Sequence, residues 1–208
     1  ENPHQKAFWY GLSNIGWNSA EQIQGKELSY NNLLDLESAL STVLEFGYEE
    51  KDILTTNTFA SVILKHNNPC GAAISSSASQ AFLNALACDS VSAFGGIVAF
   101  NSNIDSNAAI NLKDIFLECV VAPSFDAEAL EILKVKKNLR ILRLSKNKLP
   151  KKHQLCTKSI MGGLLVQDPD NIEDKAESWN PVTKKKPSNL MNLDLNFAWK
   201  ICKHVKSN

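Results

Sequence analysis

Lys65 and His66 stand together where an apolar run, Phe59 to Leu64, gives way to the turn-forming residues Asn67-Asn68-Pro69-Cys70-Gly71. A histidine exchanges protons near neutral pH, and a neighbouring lysine ammonium can stabilise developing negative charge or donate a proton itself. The pair therefore has the makings of a general base beside an electrostatic stabiliser. Plainer roles are open to both, Lys65 as a solvated strand end and His66 as a hydrogen-bonded histidine. Ser92-Ala93-Phe94-Gly95-Gly96 is a second candidate, because consecutive glycines let the backbone approach a ligand closely. Its plain alternative is a tight turn before a strand. Glu118, at the start of an apolar run, can accept hydrogen bonds from a ligand or simply end a strand in solvent. Asn208 carries no signal by itself.

Pro69-Cys70 raises the possibility of a zinc deaminase, whose chemistry needs H-x-E for a ligand and the general acid, and P-C-x-x-C for two further ligands. The residue three after Cys70 is Ala73, and none of the 4 histidines is followed by x-Glu. No zinc or other metal is expected. The 5 cysteines, Cys70, Cys88, Cys119, Cys156 and Cys202, are irregularly spaced without C-x-x-C and read as reduced thiols.

The elements that must hold these residues follow from hydrophobic period. Leu33, Leu36, Leu40, Val43 and Leu44 have helical spacing with Gly47 past the end, so Asn32 to Phe46 is predicted as a helix. Phe59 to Leu64 reads as a buried strand. Ser77 and Gln80 have the form of a capping box that opens a helix through Ala87. Ile97 to Phe100, Cys119 to Ala122 and Leu139 to Leu144 read as strands. Helices are predicted over Ile104 to Leu117 and after Asp126 as a cap. Ile160 to Val166 reads as one more strand, Asp168 to Pro187 as a polar linker, and Ser188 as the cap of a last helix with Leu190, Leu193, Phe197, Ile201 and Val205 on one face. Strands alternating with helices imply an α/β fold with a mostly parallel sheet covered on both faces.

Composition sets the outer limits. With 208 residues and 44% hydrophobic content the chain can bury a sizeable core. Lys plus Arg and Asp plus Glu are both 22, so no global field draws it to nucleic acid or a membrane surface. No apolar stretch approaches the roughly 20 residues that cross a bilayer, and the first residues lack the basic and apolar regions of a signal peptide. The cytoplasm is the expected compartment.

Taken together, six blocks carry a resemblance: Glu1-Asn2-Pro3-His4-Gln5, Lys65 to Gly71, Asp89 to Gly96, Ala122-Pro123-Ser124-Phe125, Gly162 to Asp168, and Lys203 to Asn208. In this order the chain resembles the AICAR transformylase domain of the bifunctional purine-biosynthesis enzymes, AICAR formyltransferase/IMP cyclohydrolase. The resemblance implies transfer of a formyl group from the co-substrate 10-formyltetrahydrofolate to the 5-amino group of AICAR, giving FAICAR on the way to IMP. It implies that His66 accepts the amine proton and that Lys65 stabilises the tetrahedral oxyanion or assists departure of the folate nitrogen. Asn208 would orient the formyl oxygen, Gly95 would approach the nucleotide with its backbone, and Glu118 and Asn67 would be substrate contacts.

The same resemblance implies cytidine-deaminase-like three-layer α/β/α subdomains and a homodimer with active sites between chains, with neither nucleic acid nor membrane as partner. Residues 1–168 would form the first subdomain, 169–187 a linker and 188–208 the opening helix of the second. The Arg-Tyr-Gly that usually precedes Glu1, the IMP cyclohydrolase domain and most of the folate pocket would lie outside these 208 residues. The chain alone is accordingly expected not to transfer formyl groups. Two alternatives stay open: an inactive or nucleotide-binding piece of the same family, and a stand-alone α/β enzyme with Cys70 as nucleophile.

Overall fold

The structure, a computed structural model, describes residues 4–11, 13–49, 58–150, 155–170 and 178–207. Its elements are β1 (Glu21–Gln24), α1 (Tyr30–Val43), β2 (Phe59–Lys65), β3 (Asn68–Ser75), α2 (Ala78–Cys88), β4 (Gly96–Phe100), α3 (Ser106–Lys113), β5 (Leu117–Ala122), α4 (Ala127–Leu133), β6 (Arg140–Arg143), β7 (Cys156–Ile160), β8 (Gly163–Gln167) and α5 (Asn189–His204). They fall into two compact units, one formed by Glu1–Leu149 with Lys200–Asn208 and the other by Pro150–Trp199.

The first unit is built on a six-stranded sheet of order β1-β6-β5-β4-β2-β3. Strands β3, β4, β5 and β6 run in one direction and β1 and β2 against them. The parallel pairings are those within β4-β5-β6, where the sequence alternates strand and helix. Period 2 sorts each strand between two cores. Val62, Leu64, Ile97, Ala99, Cys119 and Val121 meet Leu36, Leu40 and Val43 of α1 on one face. Ile63, Val98, Phe100 and Val120 meet Phe82, Leu112 and Leu133 of α2, α3 and α4 on the other. Three layers result, with α1 on one side of the sheet and α2, α3 and α4 on the other.

Several local expectations shift. The predicted turn over Asn67 to Gly71 is mostly strand: the chain reverses at His66 and Asn67, and Asn68 already pairs with Lys65. Pro69 is tolerated because β3 is an edge strand. The predicted helix over Ile104 to Leu117 shrinks to α3, since Leu117 is needed to begin β5. At Ser77 the side chain accepts from the Gln80 amide, but the Gln80 side chain donates to Asn84 instead of returning to the cap. The reciprocal capping box lies at Ser29 and Asn32, at the start of α1. Asp126 precedes α4 without capping it, its carboxylate being taken by the Asn103 amide at 2.9 Å.

In the second unit, Ile160 to Val166 is the centre of a hairpin rather than one strand, with β7 pairing antiparallel to β8 across Met161-Gly162. On sequence this stretch belonged with the first subdomain; by compactness it clusters with residues 150–199. Ser188 accepts from the Met191 amide at the start of α5, as its position predicts. Among the described residues no helix is long and apolar enough to cross a membrane.

Gly71 shows how tightly β3 is held. A Cβ there would lie 2.0 Å from the Ala85 carbonyl oxygen, so α2 rests directly on the β3 backbone. Gly71→Ala is expected to lose about 2–3 kcal/mol, the upper part of the range for overpacking, because the obstacle is backbone. Urea unfolding midpoints measure this, and an unchanged midpoint would show that α2 does not rest there.

Candidate functional site

The turn between β2 and β3 sets the geometry. A two-residue hairpin closed by a type I′ turn needs positive φ at both central residues, a role usually given to Asn-Gly or Gly-Gly. Here those residues are His66, with φ 57°, and Asn67, with φ 61°. Each left-handed L-residue costs about 1–2 kcal/mol, less for asparagine, so neighbouring structure must hold the turn. It does so from α1. The Asn67 amide donates to Asp35 Oδ1 at 2.7 Å, and Ser38 Oγ donates to Asn67 Oδ1 at 3.2 Å. Asp35 and Ser38 share a helix face because they are three residues apart. Below the turn the register shifts, Ile63 opposite Gly71 and Leu64 opposite Pro69, which leaves Cys70 as a bulge.

Five of the six sequence candidates meet in one cleft. Lys65, His66, Asn67, Gly95 and Glu118 line a cavity of about 450 Å³ between α1 and the ends of β2, β4 and β5. Asn208, the sixth, lies outside the described residues. The Lys65 ammonium donates to the Phe94 carbonyl at 2.8 Å, which ties the catalytic candidate to the glycine loop. Gly95 has φ +74°, and its amide donates to the Phe116 carbonyl at 2.8 Å. Its N–H is thus already used, and a close approach by this residue must come from its carbonyl or its bare Cα. The Phe94 and Phe116 rings pack at 5.1 Å between centroids on the same side of the cleft.

Glu118 is held by a network that the sequence reading missed. Arg140 NH1 donates to Glu118 Oε2 at 2.9 Å, Asn32 Nδ2 reaches the same oxygen at 3.3 Å, and Arg140 Nε donates to the Glu27 carbonyl at 2.9 Å. The Arg140 side chain is 12% exposed and that of Glu118 40%, so a largely buried guanidinium sits behind a carboxylate that opens on the cleft. Asn32 has a buried polar side chain inside an amphipathic helix. A polar residue on the apolar side was the available signal for it; Arg140 and Asp35 had none.

The chain end packs close by. The Lys206 amide donates to Asn68 Oδ1 at 2.7 Å, and Glu45 anchors the segment through Lys203 and His204, each at 3.0 Å. Hydrogen bonding from His204, then the Lys203 contacts, hold the Glu45 carboxyl down at about 2 against the opposing effect of burial.

Cys70 does not have the surroundings of a nucleophile. Burial pushes its thiol pKa up, a backbone hydrogen bond being the largest opposing effect, with the Asp89 carboxylate adding to the rise and Lys65 working against it; Sγ lies 3.5 Å from the Ile63 carbonyl. Cys119, beside Glu118, is buried with its thiol pushed up to about 12. Among the described residues no group of three or more His, Cys, Asp or Glu side chains could hold a metal ion.

The family model described as AICARFT/IMPCHase bienzyme matches residues 1–208. The chain belongs to that family. Proteins named bifunctional purine biosynthesis protein PurH are similar to it throughout. That of Prochlorococcus marinus strain MIT 9312 is 86% identical over 208 residues, covering 100% of this chain and 40% of the relative. Those of Prochlorococcus marinus subsp. pastoris and of strain MIT 9211 are 84% and 52% identical over the same spans. The chain thus spans about 40% of the length of the curated family members it matches. A solved structure of Acinetobacter baumannii RibD, form 2, aligns with a TM-score of 0.39 at 18% identity, over 54% of this chain and 36% of that one.

The Glu45 anchor gives a pH dependence. The folded carboxyl sits at about 2 against an ordinary 4.5, so its contribution is fully present above 4.5 and is lost as pH falls toward 2. Glu45→Gln is expected to lower stability by about 1 kcal/mol at neutral pH, the upper end for partly exposed ion pairs. Its melting temperature should converge with that of the unaltered chain as pH falls from 4.5 to about 2. A gap that persists unchanged through that window would contradict the anchor.

Proposed function

We propose that this chain supplies the nucleotide-facing part of an AICAR formyltransferase site, with Lys65 and His66 as its catalytic pair. The observation that carries the reading is their convergence with Gly95 and Glu118 in one cleft, in a chain that belongs to the AICARFT/IMPCHase bienzyme family. The co-substrate is 10-formyltetrahydrofolate and the acceptor is the 5-amino group of AICAR.

That amine is a poor nucleophile, since its lone pair is delocalised into the imidazole carboxamide ring. As its nitrogen attacks the formyl carbon, a proton must leave it, and His66 at the rim of the cleft is the group to take it. The new C–N bond turns the formyl oxygen into an oxyanion. The Lys65 ammonium, held at the Phe94 carbonyl, stabilises that charge. Collapse breaks the bond to the folate nitrogen, which leaves as an amine on receiving a proton from the Lys65–His66 pair. Glu118, backed by Arg140, presents an acceptor to donor groups of the nucleotide, and Asn67 supports the turn from which both catalytic groups emerge. Asn208 orients the formyl oxygen.

Residues 1–168 correspond on this proposal to a deaminase-like subdomain, 169–187 to a linker and 188–208 to the start of a second subdomain. The working enzyme is a cytoplasmic homodimer with sites between chains and no zinc.

In the complete polypeptide that carries this sequence, His66→Ala is expected to lower the rate of FAICAR formation by about two or more orders of magnitude, the scale for losing a general base. AICAR affinity should change far less, Lys65→Ala should behave similarly, and Cys70→Ser should retain substantial activity. Turnover of His66→Ala within a few fold of the unaltered enzyme would overturn the role given to His66.

A further inference from the structure

We infer that Asp35 is a positioning residue for the proposed transfer, because its hydrogen bond to the Asn67 amide holds the left-handed turn from which His66 meets the cleft. The inference rests on the formyl-transfer reading and adds a residue to it. Asp35 is itself part of the cleft wall, yet its Oδ1 is taken up by the backbone N–H of Asn67 at 2.7 Å. It therefore acts on the chemistry through the turn.

Three residues of α1 at intervals of three point at the two ends of the cleft. Asn32 donates to Glu118, Asp35 accepts from the Asn67 amide, and Ser38 donates to the Asn67 side chain. The helix that carries them is fixed independently by the Ser29/Asn32 capping box and by Leu36, Leu40 and Val43 in the core. It is a rigid bar against which the turn is clamped. Ser38 grips only the Asn67 side chain, which can rotate, whereas Asp35 grips the backbone. His66 and Asn67 sit at φ 57° and 61°, conformations that L-residues leave readily when nothing restrains them. With the clamp lost, the turn samples other hairpin geometries and His66 spends less time in register with the amine. A shift on the order of 1 Å in a positioning group lowers rates up to about 100-fold without loss of binding.

The test is made in the complete polypeptide, with kcat and KM for AICAR measured separately and amide hydrogen exchange followed at Asn67. Asp35→Ala is expected to lower kcat roughly 10- to 100-fold with KM within about threefold, and to speed exchange at Asn67. Asp35→Asn keeps an acceptor at the same reach and is expected to recover kcat to within about fivefold, since a neutral acceptor is only about half as strong. Should Asp35→Ala fail to fold, Asp35→Glu keeps the charge but displaces the carboxylate by one methylene, and the same kcat loss is expected of it. The inference is overturned if Asp35→Ala, or Asp35→Glu in its place, leaves kcat within about threefold of the unaltered enzyme while His66→Ala is slow. It is equally overturned if Asp35→Asn is as slow as Asp35→Ala with Asn67 still protected, because charge and not the clamp would then matter. If His66→Ala is itself fast, the formyl-transfer reading falls and this inference with it.

Discussion

A hairpin that reverses through a type I′ turn without glycine must keep two L-residues at positive φ, and the contacts around the β2–β3 turn meet that demand. His66 and Asn67 meet it between β2 and β3. The strain is local, and the forces that offset it come from α1 through a backbone amide and a side-chain amide. A strained conformation at the mouth of a cleft is a common mark of function, since a relaxed turn would have served folding equally well. Here one of the two strained residues is His66, whose imidazole lines the cleft.

The same helix ties the turn to the carboxylate on the other side of the cleft. Arg140 sits behind Glu118 with little exposure, its NH1 on the carboxylate and its Nε on the Glu27 carbonyl, so Glu118 Oε2 carries the bonds from both Arg140 and Asn32. A carboxylate backed in this way keeps its place without being neutralised by mobile surface groups. Opposite it, the Lys65 ammonium is fixed to the glycine loop by a single bond to a carbonyl. Lys65 and Glu118 thereby present charges of opposite sign to one cleft. Such fixed charges cost no reorganisation at the moment of reaction, which is what electrostatic stabilisation of an oxyanion requires.

Much of this was legible in the sequence because it depends on period and on local chemistry. The buried run of β2, the apolar face of α1 and the parallel β4-β5-β6 centre follow from spacing alone. So does the placement of Lys65 and His66 at a strand end. What escaped was set by contacts distant in sequence. Asp35 and Asn67 are 32 residues apart and Arg140 and Glu118 are 22 apart, and nothing in either neighbourhood announces the partner. The turn falls at His66 and Asn67 rather than over Asn67 to Gly71: Asn-Asn-Pro is a strong turn signal, while a His-Asn turn is legible only once the clamp that holds it is known. Likewise Ser77 and Gln80 have the letters of a capping box, yet Gln80 found a better partner in Asn84 one turn on.

The central claim is that the reacting amine meets His66 in the cleft between the β2–β3 turn, the glycine loop and Glu118. A crystal structure of the complete polypeptide with AICAR bound tests it most directly. The account predicts the 5-amino nitrogen within about 2.6–3.2 Å of a His66 ring nitrogen, or bridged to it by one water. It also predicts the nucleotide against Gly95 and Glu118. A nucleotide bound elsewhere, or in this cleft with its amine turned away from His66 and no water between them, would contradict it.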